Sequence, residues 1–145
     1  LRIEKAYRHY GHDITDADTP LEGCLGFGVK LGKPGGFIGR DALSRQRQKG
    51  LSRRLVQFIL DDPEPLLYGR EPILRDGKIT GYVTSAMYGH TLGGAVGLGY
   101  VEHEGVLDAD FIAAGPFEIE VAGLRCPARA SLSPLYDPKS ERLRA

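Results

Sequence analysis

The sequence predicts a fold between the α+β and the mainly β classes, in which a helical and loop-rich lead-in precedes an antiparallel β domain. From Leu51 onward, apolar residues alternate or run at strand length, as in SRRLVQFIL and FEIEVAG. Asp76-Gly77 separates two further candidate strands and is a strong hairpin signal. Five or six strands with no strong helix between them favour a closed antiparallel barrel or a Greek-key sheet.

The first ten residues, LRIEKAYRHY, have the periodicity of an amphipathic helix, which Gly11 is placed to end. At about 100° per residue, one face carries the apolar residues Leu1, Ile3, Ala6, Tyr7 and Tyr10. This face needs a partner, either the β domain or a second copy of the chain, so a dimer through it is one expectation. Glu4 lies at its border, where it is either a ligand-binding carboxylate or a solvated glutamate.

Two shorter helices are expected before the first strand. Thr19-Pro20 with Glu22 predicts a helix start, and this helix runs to about Gly26. The segment LGKPGG that follows must be a loop. GRDALSRQRQK, residues 39–49, predicts the second helix, which has acidic and basic residues at the ends that the helix dipole favours.

Composition excludes several classes of partner. Nineteen basic and nineteen acidic residues leave a formal charge of zero in 145 residues, so we expect no nucleic acid and no anionic membrane as partner. No apolar run reaches the roughly 20 residues of a membrane span, and no signal-peptide pattern is present, so the prediction is a cytoplasmic protein. Cys24 and Cys126 are predicted to be buried thiols. The four histidines lack the spacing of a metal site, so no metal is expected.

No active site is visible in the residues themselves. GGAVGLG is similar to a dinucleotide-binding loop, but it continues as a strand where that loop requires a helix. No nucleophile stands beside a local base. The stretch RDGKITGYVTS is either a site on a glycine-containing loop or two strands and their turn. We also expect the chain, which starts at Leu1, to be a piece of a longer protein.

Four blocks of sequence, in this order and spacing, carry a family resemblance. They are LRIEKAYRHYGHDITDADTPLEGCLGFGVKL, FIGRDAL, EPILRDGKITGYVTSAMYGHTLGGAVGLGYV and PARASLSPLYDP. Together they resemble the C-terminal part of the glycine cleavage T protein (aminomethyltransferase) family. Within it, they look most like the folate-binding half of flavin-dependent sarcosine and dimethylglycine dehydrogenases and oxidases.

The resemblance implies an organisation for the chain. Residues 1–50 would be the end of a truncated folate-binding core, residues 51–137 an antiparallel Greek-key β-barrel, and residues 138–145 a polar tail. RDGKITGYVTS would then be a barrel hairpin, in which Gly77 suits the tight turn and Gly81 a close backbone approach.

The resemblance also implies one-carbon transfer to tetrahydrofolate. Glu4, in the block LRIE, matches a family glutamate whose carboxylate accepts two N–H groups of the pterin ring. Lys33 stands where the family often has an arginine for the glutamate tail of folate, and it lacks the fork geometry of arginine. Tyr136, in PLYDP, matches a position that approaches the folate in some members. The family's catalytic acid lies upstream of this chain, so no catalytic residue is assigned and the chain alone is expected to be inactive.

Three functions stay open at this point. The parent protein is a flavin amine dehydrogenase that holds FAD upstream and uses folate and a small amine, or a stand-alone aminomethyltransferase. Alternatively, the barrel is non-enzymatic and mediates packing or assembly. The sequence does not identify the amine, the oligomeric state or the upstream domains.

Overall fold

The computed structural model describes residues 1–142 and 144. Its helices are a 3₁₀ helix at Gly26–Gly28, α1 at Arg40–Lys49 and α2 at Ala109–Ala113. Its strands are β1 (Arg53–Leu60), β2 (Pro72–Arg75), β3 (Lys78–Gly89), β4 (Gly94–Glu102), β5 (Phe117–Val121) and β6 (Leu124–Ser131). Of the predicted polar tail, Leu143 and Ala145 lie outside the described residues.

The six strands close into one antiparallel barrel in the order β1-β4-β3-β2-β5-β6, with β6 pairing back onto β1. Strands β2, β3 and β4 follow one another as hairpin neighbours, while β1 lies beside β4 after a long connection across residues 61–71. This arrangement is a Greek key. The predicted barrel is therefore confirmed.

The stretch RDGKITGYVTS forms the β2–β3 hairpin. Asp76 and Gly77 both have positive φ, at 50° and 74°, as a two-residue hairpin turn requires. Gly81 lies where β3 pairs with β4 so closely that an added Cβ would stand 1.8 Å from the carbonyl oxygen of Tyr100. The turn and the close backbone approach were both predicted from the glycines.

Large apolar side chains fill the barrel, and glycines of β4 make room for them. The interior cluster includes Val56 and Phe58 of β1, Ile73 of β2, Val83 of β3 and Phe117 of β5. Gly97 and Gly99 alternate with outward residues of β4, and a Cβ at position 99 would meet the side chain of Ile73 at 2.6 Å. A six-stranded barrel has a narrow interior, so small residues on one strand let the facing strands carry large ones.

The outer face of β1 and β4 is also buried, beneath the lead-in. A second apolar cluster joins Leu55, Ile59, Val96, Leu98 and Tyr100 of the barrel to Ile3 and Ala6, with Leu92 and Leu135 at its margin. Eight of the nine residues of β4 are buried for this reason. The lead-in therefore supplies part of the barrel's apolar packing.

The prediction of a helix over the first ten residues was wrong. Residues 2–6 form turns, and Ala6 has a φ of +53°, which lies in the left-handed region. Packing against the barrel buries Ile3 and Ala6 almost completely. This burial stabilises the turns of the lead-in more than a short regular helix would be stabilised. Tyr7 and Tyr10 of the predicted apolar face stay 50% and 69% exposed.

The prediction of a helix from residue 19 to 26 was also wrong, although its start is present. The Oε2 of Glu22 accepts from the backbone N–H of Thr19, and the N–H of Glu22 donates to the Thr19 hydroxyl. The chain then leaves the helical path because Cys24 has a φ of +54°. The helix predicted over residues 39–49 is confirmed as α1, which begins and ends at glycines of positive φ, Gly39 and Gly50.

Among the described residues, no helix combines the length and the apolar character that crossing a membrane would take.

Candidate functional site

The lead-in and the C-terminal segment meet at Gln57, on the outer face of β1. Gln57 is 2% exposed. Its Nε2 donates to the carbonyl oxygens of Ile3, at 2.6 Å, and Glu4, at 3.2 Å, while its Oε1 accepts from the N–H of Leu135 at 2.8 Å. One side chain thus joins three segments of the chain. We call this region, residues 1–6, Gln57 and residues 135–142, the junction.

A buried ion pair closes the junction. Lys5 and Asp137 have side chains only 5% and 7% exposed, and their Nζ and Oδ2 atoms lie 2.9 Å apart. Lys5 also donates to the carbonyl oxygen of Asp137 and to the hydroxyl of Ser140. The hydrogen bond from Lys5 holds the pKa of Asp137 below its ordinary value. Asp137 and Ser140 both have positive φ, so the contacts of Lys5 hold a strained turn.

Glu4 reaches the turn between β3 and β4 from the junction. Its Oε1 accepts from the N–H groups of Thr91, at 2.7 Å, and Leu92, at 3.2 Å. Its Oε2 lies 3.4 Å from the Thr91 hydroxyl, and the side chain is 3% exposed. The carboxylate is therefore buried and is not the solvated group that a helix border would give. Its Oε1 already accepts from two N–H groups, so a pterin would meet mainly the acceptor capacity of Oε2.

Tyr136 lines a cavity of about 440 Å³. The backbone N–H of Tyr136 donates to the Glu4 carbonyl at 3.3 Å, so this cavity is close to Glu4. Leu1, Tyr7 and Tyr136 supply its apolar walls, while Arg2 and Arg142 lie at its edge. The Arg142 guanidinium donates to the Tyr136 hydroxyl at 3.2 Å. The Arg2 guanidinium is engaged by Asp13 at 3.0 Å, and the lining also contains the paired Lys5 and Asp137. An aromatic wall with Arg142 beside it suits a planar ligand that carries negative charge.

Lys33 is not part of the junction. It is exposed in the turns between the 3₁₀ helix and α1, where its N–H donates to the carbonyl of Lys30 and its carbonyl accepts from Gly36. The structure thus brings Glu4 and Tyr136 together and leaves Lys33 on a separate loop.

Sequence reasoning missed a buried carboxylate at Asp13. Its Oδ1 accepts from the hydroxyls of Thr84 and Ser85, at 2.5 and 2.6 Å, and its Oδ2 from the N–H of His9 and the Arg2 guanidinium, at 2.8 and 3.0 Å. A β-bulge between Val83 and Ser85 brings both hydroxyls to it. The available signal was the pair Thr84-Ser85 between the apolar residues Val83 and Ala86 of the strand.

The environment of Asp13 fixes its charge. Burial alone would raise its pKa, but the hydrogen bonds from Ser85, Thr84, His9 and Arg2 outweigh burial and hold the pKa below the ordinary value. Asp13 therefore ties the lead-in to β3 as a carboxylate.

Neither a metal cluster nor a disulfide is found in residues 1–142 and 144. They contain no group of three or more histidine, cysteine or acidic residues placed to hold a metal ion. Cys24 and Cys126 are free thiols, and Cys126 is buried as predicted while Cys24 is partly exposed.

The fold and the junction define a closed six-stranded barrel domain that carries an N-terminal segment on its outer face. Residues 53–137 match the family model described as "Glycine cleavage T-protein C-terminal barrel domain", and the chain belongs to this family. The division of the chain at residue 50 stays a prediction.

Three relatives extend the match to the lead-in. A 4-methylaminobutanoate oxidase (formaldehyde-forming) of Paenarthrobacter nicotinovorans is 44% identical over 99% of this chain and 17% of its own length. Human mitochondrial sarcosine dehydrogenase is 38% identical over 99% of this chain and 16% of its own. The mouse mitochondrial pyruvate dehydrogenase phosphatase regulatory subunit is 46% identical over 93% of this chain and 17% of its own length. The chain thus spans about a sixth of these relatives.

A solved structure shares the fold. The glycine cleavage system aminomethyltransferase T from Bartonella henselae superposes with a TM-score of 0.76 and 25% identity, over 95% of this chain and 37% of that one.

Replacing Gln57 with leucine should lower the free energy of unfolding by about 1 to 3 kcal/mol, because the N–H of Leu135 loses its acceptor and the carbonyls of Ile3 and Glu4 each lose one of two donors. Urea denaturation followed by circular dichroism measures the change. The matched control is Gln48→Leu, on the exposed side of α1, which should change stability by less than about 0.5 kcal/mol. Equal stabilities of the two variants would show that Gln57 does not hold the junction.

Proposed function

We propose that the chain is the C-terminal part of a tetrahydrofolate-dependent one-carbon transfer protein whose parent is a flavin-dependent dehydrogenase or oxidase of the sarcosine and dimethylglycine type. The single observation that carries this proposal is the match to an N-methyl amine oxidase over 99% of the chain, which includes the lead-in outside the barrel. The sarcosine dehydrogenase match supports the same class of small amine substrate. FAD would belong to the part of the parent outside this chain.

The cavity beside Tyr136 fits part of a folate. Tyr136 and Tyr7 would contact an aromatic ring, and Arg142 would face a carboxylate. Tetrahydrofolate, when bound, supplies a ring nitrogen that accepts the one-carbon unit. The chain's own residues would orient the folate and exclude water. Glu4 would contact the pterin through Oε2, because its Oε1 is held by the β3–β4 turn, and Lys33 would act from its separate loop.

Two other functions have their own support. The solved aminomethyltransferase favours a stand-alone transferase, and the regulatory-subunit relative favours a barrel that serves assembly rather than catalysis. The absorbance spectrum of the full-length parent separates the first two, because only a flavoprotein absorbs in the visible range. Calorimetric titration with tetrahydrofolate separates both from a non-enzymatic barrel. A cytoplasmic location and a dimer through the exposed Tyr7 and Tyr10 stay proposals.

The residue test uses Glu4→Gln in the full-length parent. If Glu4 contacts the pterin, folate binding should weaken by about 1.5 to 3 kcal/mol, the range for a hydrogen bond to a charged group. Calorimetric titration measures the affinity. Flavin reduction by the amine should hardly change, while more formaldehyde should be released per turnover.

The melting temperature of the same variant is the control. A lower folate affinity with an unchanged melting temperature supports direct contact. If the affinity and the melting temperature both fall, the substitution acts by disturbing the turn of Thr91 and Leu92. An unchanged affinity would remove Glu4 from the folate site.

A further inference from the structure

A second cavity, of about 550 Å³, lies between the lead-in, α1 and the open end of the barrel. Its apolar wall is formed by Leu21, Phe27, Leu31, Val106 and Leu132. None of Glu4, Lys33 and Tyr136 lines it, so it is separate from the proposed folate site. Its volume lies in the range of small-molecule sites in proteins.

Arg54, in the second position of β1, brings an unsatisfied donor to this cavity. Its Nη1 donates to the carbonyl of Leu107 at 3.3 Å, and its Nη2 lies 3.7 Å from the sulfur of Cys24. Its Nε is buried and has no hydrogen-bond partner among the described residues. A buried donor left unpaired costs free energy, so an acceptor supplied by a ligand would be favourable.

The charges around the cavity favour an anion. Arg47 of α1 lines it together with Arg54, and Asp108 is the acidic residue of the lining. The Asp108 carboxylate is already engaged, because its Oδ1 accepts from the N–H of Phe111 at 2.8 Å as the N-cap of α2. The two guanidinium groups therefore outnumber the one carboxylate of the lining, which caps α2 through its Oδ1.

Phe27 gives the cavity an aromatic rim that could close. Its side chain is 85% exposed although it lines the cavity. Rotation about the side-chain bonds of Phe27 would bring the ring over the cavity, and a ligand with an apolar body would let the ring become buried.

We propose that this cavity binds a small monocarboxylate with an apolar body. The carboxylate accepts from the N–H groups of the Arg54 guanidinium, with Arg47 adding attraction, and the hydrocarbon contacts Leu21 and Leu132. Phe27 closes over the body of the ligand. The site takes a ligand chemistry separate from the one-carbon transfer proposed above.

The test titrates the full chain with octanoate and, in parallel, with octan-1-ol, which has the same body without the charge. Calorimetry or NMR chemical shifts should show saturable octanoate binding that is at least about tenfold tighter than binding of the alcohol. Arg54→Met should remove this preference. Equal binding of the two compounds, or no saturable octanoate binding, would overturn the proposal.

A second variant covers the case in which Arg54→Met fails to fold. Val106 is 53% exposed at the cavity wall, so Val106→Trp should fill the cavity without disturbing the barrel interior. Octanoate binding should weaken at least about tenfold in this variant and change little in Val106→Ala, which leaves the cavity open. Unchanged octanoate binding in Val106→Trp would place the ligand elsewhere and contradict the proposal.

Discussion

Replacing Gly81 with alanine is expected to destabilise the barrel by about 3 kcal/mol or more, a large share of the stability of a small domain. The added methyl would stand 1.8 Å from the carbonyl oxygen of Tyr100, so two paired strands must move apart. Backbone atoms cannot rotate away as a side chain does. Urea denaturation followed by circular dichroism should show a lower midpoint, or no folded baseline.

Two glycines provide matched controls. Gly97 is also in the sheet, but its added Cβ would meet side-chain atoms of Val83 and Leu67 at 3.3 and 3.4 Å, so Gly97→Ala should cost clearly less than Gly81→Ala. Gly32 has open space around it, and Gly32→Ala should change stability by less than about 0.5 kcal/mol. If Gly81→Ala and Gly32→Ala had the same urea midpoint, the close approach of β3 and β4 at Gly81 would be disproved.

The barrel could be predicted from the sequence because its signals are local. Asp76-Gly77 specifies its turn by backbone conformation alone, and Gly39 and Gly50 mark the two ends of α1 in the same way. Alternation along β5 indicates one buried face, whereas β1 is buried on both faces over Leu55 to Leu60. β4 is nearly continuous in apolar residues and glycine because both of its faces are buried, and local periodicity does not say what covers the second face.

The lead-in could not be predicted because distant residues decide its conformation. Ile3 and Ala6 have helical spacing, yet their partners are barrel residues such as Leu55 and Val96. The carbonyl of Ile3 bonds the side chain of Gln57, which lies 54 positions along the chain. Periodicity identified the apolar residues correctly and assigned them the wrong backbone.

The residues of the candidate site were selected from the sequence, but their contacts were not, because these contacts also depend on residues that are distant in the chain. Resemblance selected Glu4 and Tyr136, which the structure places side by side, but it gave no sign that the Glu4 carboxylate binds the turn at Thr91. Arg54 was not selected as a site residue, because a single arginine at the start of a strand is usually a surface residue. Only the fold shows that its Nε is buried.

Asp13→Ala is expected to lower the free energy of unfolding by about 3 kcal/mol or more, because several hydrogen bonds to a charged group are lost and each contributes about 1.5 to 3 kcal/mol. The Ser85 hydroxyl and the N–H of His9 would lose their acceptor, the Thr84 hydroxyl would keep the Leu98 carbonyl at 3.1 Å, and the half-exposed Arg2 could turn to water. Denaturation at neutral pH measures the loss. Asp13→Asn is the matched control, because its amide oxygen still accepts from His9 and Arg2 while the hydroxyls can accept from its N–H₂.

The pH dependence tests whether Asp13 acts as a charged group. Its folded pKa lies below the ordinary value of 3.8, so its contribution is fully present above that value and is lost as the pH falls through the lower, folded pKa. Asparagine does not titrate, so the stability difference between wild type and Asp13→Asn should be constant from pH 7 to about 5 and shrink below about pH 4. Asp18 and Asp137 also have lowered pKa values, but they titrate in both proteins and cancel in the difference. A difference that stayed constant down to the acid transition would mean that the hydrogen bonds of residue 13, and not its charge, hold the lead-in on β3.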